Sequence, residues 1–216
     1  RKILDNTEPS SLANKFRRNR FRYFSEFIKD IPLPLTILDV GGTEDFWKQM
    51  GFADKAEYEI TILNIDEPAN ARRGNFMVVK GDATDLSEFG DKSFDVAFSN
   101  SVIEHIPLRE GRQKMANEIT RVGKKYFVQT PSYYFPFEPH FLFPCFQFLP
   151  RALQIYMLMK YNMGWFKKCE SKQEAIELLE NNSLLTKSEL KGYFTNCRII
   201  NEKFLLLNKS FIAAGS

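Results

Sequence analysis

Hydrophobic residues recur along this chain with two different periods. Near the start, Leu12, Phe16, Phe24, Phe27 and Ile28 follow roughly helical spacing, which predicts a helix within residues 10–31. Pro32 and Pro34 end it, because a residue before proline is pushed out of the helical region. The other side of this helix carries Lys15, Arg17, Arg18, Arg20 and Arg22. That side reads as a solvated face, with contact to phosphate or an anionic membrane surface as the sharper alternative.

Beyond the prolines the period shortens. Ile37-Leu38-Asp39-Val40 runs into Gly41-Gly42, the form of a buried strand that ends in a tight turn beneath a ligand. Glu59–Asn64, Phe76–Lys80, Phe94–Ser99 and Tyr126–Thr130 are further strand candidates. Pro107 opens a helix before the last of them, with Leu108, Met115, Ile119 and Val122 on one side. Strand and helix thus alternate from residue 37 to 130, which predicts an α/β fold with helices on both faces of a parallel sheet. Ligands in such sheets bind at the carboxyl ends of the strands. Gly41, Asn64 or Asp66, Asp82 and Asn100 all fall at those ends, and four in series carry more weight than any one.

Residues 131–165 break the rhythm. Ser132 to Pro150 reads SYYFPFEPHFLFPCFQFLP, and its prolines interrupt both a core strand and a helix. Arg151 to Trp165 reads as helical, and Ser171–Glu180 and Lys187–Phe194 as conventional helices. Arg198–Leu207 and Lys209–Ala214 close the chain as strands on a short connection, so they pair antiparallel. The expected organisation is a single domain over 1–216, with the helix of 10–31 in front and the aromatic insertion of 131–165 on the substrate side.

Composition adds limits. The 216 residues are 44% hydrophobic and 26% charged, with a formal charge of +3, which suits a globular protein and is too small an excess to imply nucleic acid. Aromatic content is 14%, and part of it falls in the irregular insertion. Cys145, Cys169 and Cys197 lack CxxC spacing, which points to a reducing compartment and away from a disulfide framework or a zinc site. His105 and His140 are too few for a His-rich metal site, so no metal is expected. No signal peptide is visible in a sequence that begins at Arg1 without Met, and no run reaches about 18 apolar residues, so the expected location is cytoplasmic.

Together, ILDVGG, ITILNID, VVKGDATDL and DKSFDVAFSNSVIEHI resemble the class I S-adenosylmethionine-dependent methyltransferases, of the small-molecule, type 11-like group. The resemblance implies a three-layer Rossmann-like methyltransferase sheet, mostly parallel with an antiparallel closing strand. It implies S-adenosylmethionine as cofactor. Asp39, Gly41 and Gly42 match the glycine turn near its methionine and ribose. Asp66 matches the acid that holds the ribose hydroxyls, with Asn64 where glycine is common. Asp82 and Ala83 match the adenine contacts, and Asn100 and Ser101 the methionine end. Thr43 stands where a further glycine is frequent, and Glu44 or Asp45 is left to cap the next helix or face the cofactor's amino group.

Because the cofactor brings an activated methyl group, an oxygen acceptor needs positioning, dryness and a base. His140, His105 and Glu138 are the catalytic candidates, with Glu104 beside them. The expected acceptor is a small molecule, attacked through oxygen, that is apolar, aromatic or linked to a lipid or sugar. The basic helix and the Phe-rich insertion also fit a peripheral membrane or lipid-linked contact. A nicotinamide-dependent oxidoreductase is the first rival, weakened because Thr43 and Phe46 stand where GxGxxG needs glycine. A cofactor-binding but catalytically silent partner protein is the second.

Overall fold

In the computed structural model the backbone is described for residues 12–65 and 71–216, and side chains from residue 17 onward within those spans. Helix α1 (Leu12–Ile28) leads into β1 (Leu35–Val40), a short α2 (Glu44–Gln49), β2 (Tyr58–Asn64), β3 (Ala71–Arg73) and β4 (Phe76–Lys80). Then come β5 (Phe94–Asn100), a 3-10 turn at Ile103–His105, α3 (Arg109–Val122) and β6 (Gly123–Pro131). Among the described residues, eight strands form one sheet in the order β3-β4-β2-β1-β5-β6-β10-β9, where β9 is Cys197–Phe204 and β10 is Leu207–Gly215. The five strands from β4 to β6 are parallel, and β10 runs antiparallel to both β6 and β9.

Alternation of side chains splits the core into two layers. Leu38, Val40, Leu63, Ala97 and Val128 face Met115, Ile119 and Val122 of α3 and Leu190 of α6 (Lys187–Tyr193). Leu35, Ile37, Ile60, Ile62, Val96, Phe98 and Phe127 face Phe21, Phe24 and Ile28 of α1 and Trp47 of α2. A one-residue slip in any central strand would exchange these sets, and because both faces are covered the strands read as nearly continuous apolar runs. Much of the aromatic content belongs to the α1 side. Phe24 is fully buried and meets Trp47, Phe98 and Phe127 edge-on at centroid distances of 5.8, 4.8 and 5.3 Å, contacts worth about 0.5–1.5 kcal/mol each beyond area burial.

The insertion has its own small core. Its hairpin β7–β8 (Phe137–Glu138 and Phe143–Pro144) and α4 (Arg151–Lys160) pack with α5 (Lys172–Glu180), where Phe141, Phe146, Leu158, Met163 and Leu179 cluster. Some boundaries differ from the pattern-based expectation. Helix α1 ends at Ile28 and α4 at Lys160, and the edge strand β3 has too little apolar content to be read from sequence. Leu108 precedes α3 and is 63% exposed rather than part of its apolar side. Residues 10 and 11, and Asp66, lie outside the described residues.

Candidate cofactor and acceptor site

The glycine turn is built by two different constraints. Gly41 has φ of +82°, a left-handed value that strains a residue with a Cβ. A Cβ there would also lie 2.5 Å from Val102 Cγ2, and one at Gly42 would lie 1.6 Å from Asp39 Oδ2. The Gly41 N–H donates to the Leu63 carbonyl at 2.7 Å, and the Asn64 amide nitrogen donates to the Gly42 carbonyl at 2.9 Å. Asn64 therefore ties the end of β2 to the turn. Thr43 caps α2 by accepting from the Phe46 N–H at 3.4 Å, so neither Glu44 nor Asp45 is the cap; Glu44 pairs with Lys48 and Arg73.

Asp39 departs from the expectation of direct cofactor contact. It is 1% exposed and lies under the turn. Oδ2 accepts the Trp47 indole N–H at 2.6 Å, while Oδ1 has no hydrogen-bond partner. Burial pushes its pKa up to about 7, against the opposing effect of the indole bond. Asp39 supports the turn from below, because the strand's alternation turns its side chain inward.

Asp82 is exposed beyond the end of β4, and its Oδ1 accepts from both the backbone N–H and the hydroxyl of Thr84, at 2.8 and 2.9 Å. This fixes the turn and the carboxylate's place at the sheet end. Ala83 packs against the core. At the end of β5, Ser101 has φ of +59°, and its hydroxyl donates to Gln129 Oε1 at 3.0 Å.

Arg20 changes the picture of this end of the sheet. Its Nη1 donates to Asn100 Oδ1 and to Gln129 Oε1, each at 2.7 Å, and its Nε pairs with Glu202 at 3.0 Å. With a side chain 13% exposed, Arg20 is no part of a solvated helix face. Asn100 and Ser101 consequently belong to a polar network linking α1, β5, β6 and β9, which amends their simple assignment to the methionine end. Burial opposes ionisation of Glu202, yet Arg20, Lys209 and the Ser210 hydroxyl hold its pKa below the ordinary carboxylate value. Arg17 lies 5.9 Å from the Phe46 ring centroid, and burial together with Arg20 lowers its pKa. Gln129 and Glu202 give a partial signal in the sequence as polar residues inside strands; Arg20 is hidden among other basic residues.

The three catalytic candidates are brought together. The His105 and His140 rings are 4.9 Å apart between centroids at an interplanar angle of 81°. His140 Nδ1 lies 2.7 Å from Oε1 of Glu138, whose Oε2 accepts from the Phe141 N–H at 2.5 Å. His105 Nδ1 is 3.1 Å from the Asn181 carbonyl. Fully buried Glu104 joins them, with Oε2 accepting the Thr130 hydroxyl at 3.0 Å. A cavity of about 450 Å³ lined by Leu33, Phe52, Lys55 and Tyr58 lies at the amino ends of β1 and β2. It is remote from this chemistry.

A doubly wound sheet with a glycine turn after its first strand and polar groups at successive carboxyl ends defines a nucleotide-cofactor-binding α/β protein. Residues 38–126 match the family model described as a methyltransferase domain. Over that stretch, which is less than half of the chain, the sequence is similar to the class I S-adenosylmethionine-dependent methyltransferases, and solved methyltransferases of that kind share the fold, which favours S-adenosylmethionine over the nicotinamide alternative. An uncharacterized protein of Mycobacterium tuberculosis is 28% identical over 137 residues, which cover 57% of this chain and 45% of that protein. The chain spans less than half the length of the curated relatives it matches. Among solved structures, an S-adenosylmethionine-dependent methyltransferase from Methanosarcina mazei superposes with a TM-score of 0.53 at 17% identity, covering 84% of this chain and 92% of that one. The magnesium protoporphyrin IX methyltransferase of Synechocystis, solved with bound S-adenosylhomocysteine, gives 0.58 at 11% identity, covering 100% and 92%. Identities this low show the shared fold.

The turn fits such a cofactor: each of its glycines excludes a Cβ, and the carboxyl end of β4 presents an exposed carboxylate. Among the described residues no helix is long and apolar enough to cross a membrane.

Proposed function

We propose that this chain transfers a methyl group from S-adenosylmethionine to an oxygen of a small acceptor. The observation that carries this is the cofactor cradle: a glycine turn that tolerates no Cβ, adjoining strand ends that offer Asn64, Asp82, Asn100 and Ser101. The cofactor, when bound, supplies a methyl group on a sulfonium centre. Gly41 and Gly42 let the backbone approach it, Asp82 accepts from the adenine amino group beside Ala83, and Asp66 takes the ribose hydroxyls. Two guanidinium groups three residues apart on α1, Arg17 and Arg20, suit the carboxylate of its methionine.

His140 takes the acceptor's proton, and Glu138 fixes the orientation of its ring through Nδ1. His105 borders the same space. The insertion exposes Tyr134, Phe148, Tyr156 and Trp165, rings that suit an apolar, aromatic, or lipid- or sugar-linked acceptor.

Calorimetric titration with S-adenosylhomocysteine tests the cradle. Asp82→Ala is expected to weaken binding by about 1–3 kcal/mol by removing a partner for a polar ligand group, and an unchanged affinity refutes its adenine role. His140→Ala is expected to slow methyl transfer while leaving cofactor affinity near wild type. Tight cofactor binding with no transfer to any phenol, carboxylate or lipid-linked alcohol would favour the silent partner instead.

A further inference from the structure

Glu104, His105 and His140 each offer one ligand atom, and these atoms lie within 4.8 Å of one another. We propose that these three residues bind one divalent first-row transition-metal ion of the zinc type. Counting histidines in the sequence points away from metal, because it cannot show that the fold adds a buried carboxylate to them.

The carboxylate is the first reason. Glu104 is 0% exposed, and its Oε1 has no hydrogen-bond partner. A buried carboxylate oxygen without a donor is costly, and a cation supplies the missing counterpart. The second reason is the outer hydrogen bonding of the rings. The Asn181 carbonyl can only accept, so His105 Nδ1 carries hydrogen and the neutral ring keeps its lone pair on Nε2. The Glu138 carboxylate does the same for His140. Carbonyl and carboxylate partners on the far nitrogen are what orient imidazoles toward a metal. The third reason is rigidity. The Glu104 carbonyl accepts from the Ser183 N–H at 3.0 Å and from Arg112 at 3.5 Å, which fixes this residue from behind.

Two imidazoles and one carboxylate favour a first-row transition ion over magnesium or calcium. Metal–ligand bonds of about 2.0–2.2 Å bring donor atoms to roughly 3.0–3.5 Å from one another. The widest separation in the cluster must therefore contract by about 1–2 Å, which His105, the exposed member, can supply. Three protein ligands leave a coordination position for water or an acceptor oxygen. The consequence for catalysis rests on the methyltransferase reading: with the ion bound, an oxygen held on it would lose its proton to solvent more readily and His140 would serve as ligand, its role as base belonging to the metal-free protein. Metal binding itself does not depend on that reading.

The test is calorimetric titration of chelator-stripped protein with zinc chloride, repeated with cobalt(II) to read its visible absorption. The expected result is one ion per chain and a visible cobalt band, with binding weakened at least about tenfold by Glu104→Gln and by His105→Asn. No stoichiometric binding, or binding unchanged in both variants, overturns the proposal. S-adenosylhomocysteine affinity and a thermal melt are measured alongside. If Glu104→Gln disturbs the fold, His105→Asn decides, because that exposed side chain can be changed without opening the core. Metal binding without S-adenosylhomocysteine binding would refute the methyltransferase reading and leave the ion site standing.

Discussion

Asp39→Asn isolates the electrostatic cost concealed under the glycine turn. In the folded protein burial raises the Asp39 pKa from an ordinary 3.8 to about 7. The folded state therefore holds a proton that the unfolded state releases across this interval. Stability changes with pH in proportion to protons bound in the unfolded state minus those bound in the folded state. This difference is negative between the two pKa values, so the Asp39 contribution is most favourable below about pH 4 and falls as pH rises to about 7. The slope approaches 1.4 kcal/mol per pH unit, and integration from pH 5 to pH 8 gives a loss of about 2.5 kcal/mol. Asparagine can still accept from Trp47, but its amide nitrogen replaces the unpartnered Oδ1, which adds a pH-independent cost of about 1–3 kcal/mol. The slope is therefore diagnostic, and the absolute stability is not. Urea unfolding of both proteins at pH 5, 6, 7 and 8 should show the mutant gaining about 2.5 kcal/mol relative to wild type across the series. A difference that stays constant with pH would mean that Asp39 is ionised and solvated, and would refute the burial account.

Gly42→Ala should destabilise the fold and reduce S-adenosylhomocysteine affinity together, because its Cβ would fall 1.6 Å from Asp39 Oδ2; a thermal melt and a titration both at wild-type values would show that the turn is free to shift. Arg20→Ala should cost about 3–5 kcal/mol in denaturant unfolding, since it strips a partner from a carboxylate 5% exposed. It should also flatten the acid limb. Glu202 has a depressed folded pKa, so its contribution is present above the unfolded value and lost as pH falls through the folded one. An Arg20→Ala protein with wild-type stability and an unchanged acid limb would mean that the network is dispensable.

The chain's own pattern determines a good deal. Apolar runs ending in Gly41, Asn64 and Asn100 mark the parallel strands, because a strand covered on both faces must be hydrophobic at consecutive positions. The glycines and the turn acid Asp82 mark the carboxyl edge of the sheet, because local backbone demands are met by local residues. The antiparallel close of β9 and β10 follows from the short connection between them. Other features arise when distant segments meet. Arg20 reads as one more solvated cation until α1 folds across the sheet and sets it against Asn100, Gln129 and Glu202, as much as 182 residues away. Asp39 reads as a ligand contact until the strand's alternation turns it under Trp47. Glu104, His105 and His140 gain their meaning when the insertion closes over the end of β5. Burial, charge pairing and convergence of side chains depend on three-dimensional neighbours, and periodicity along the chain carries no record of those neighbours.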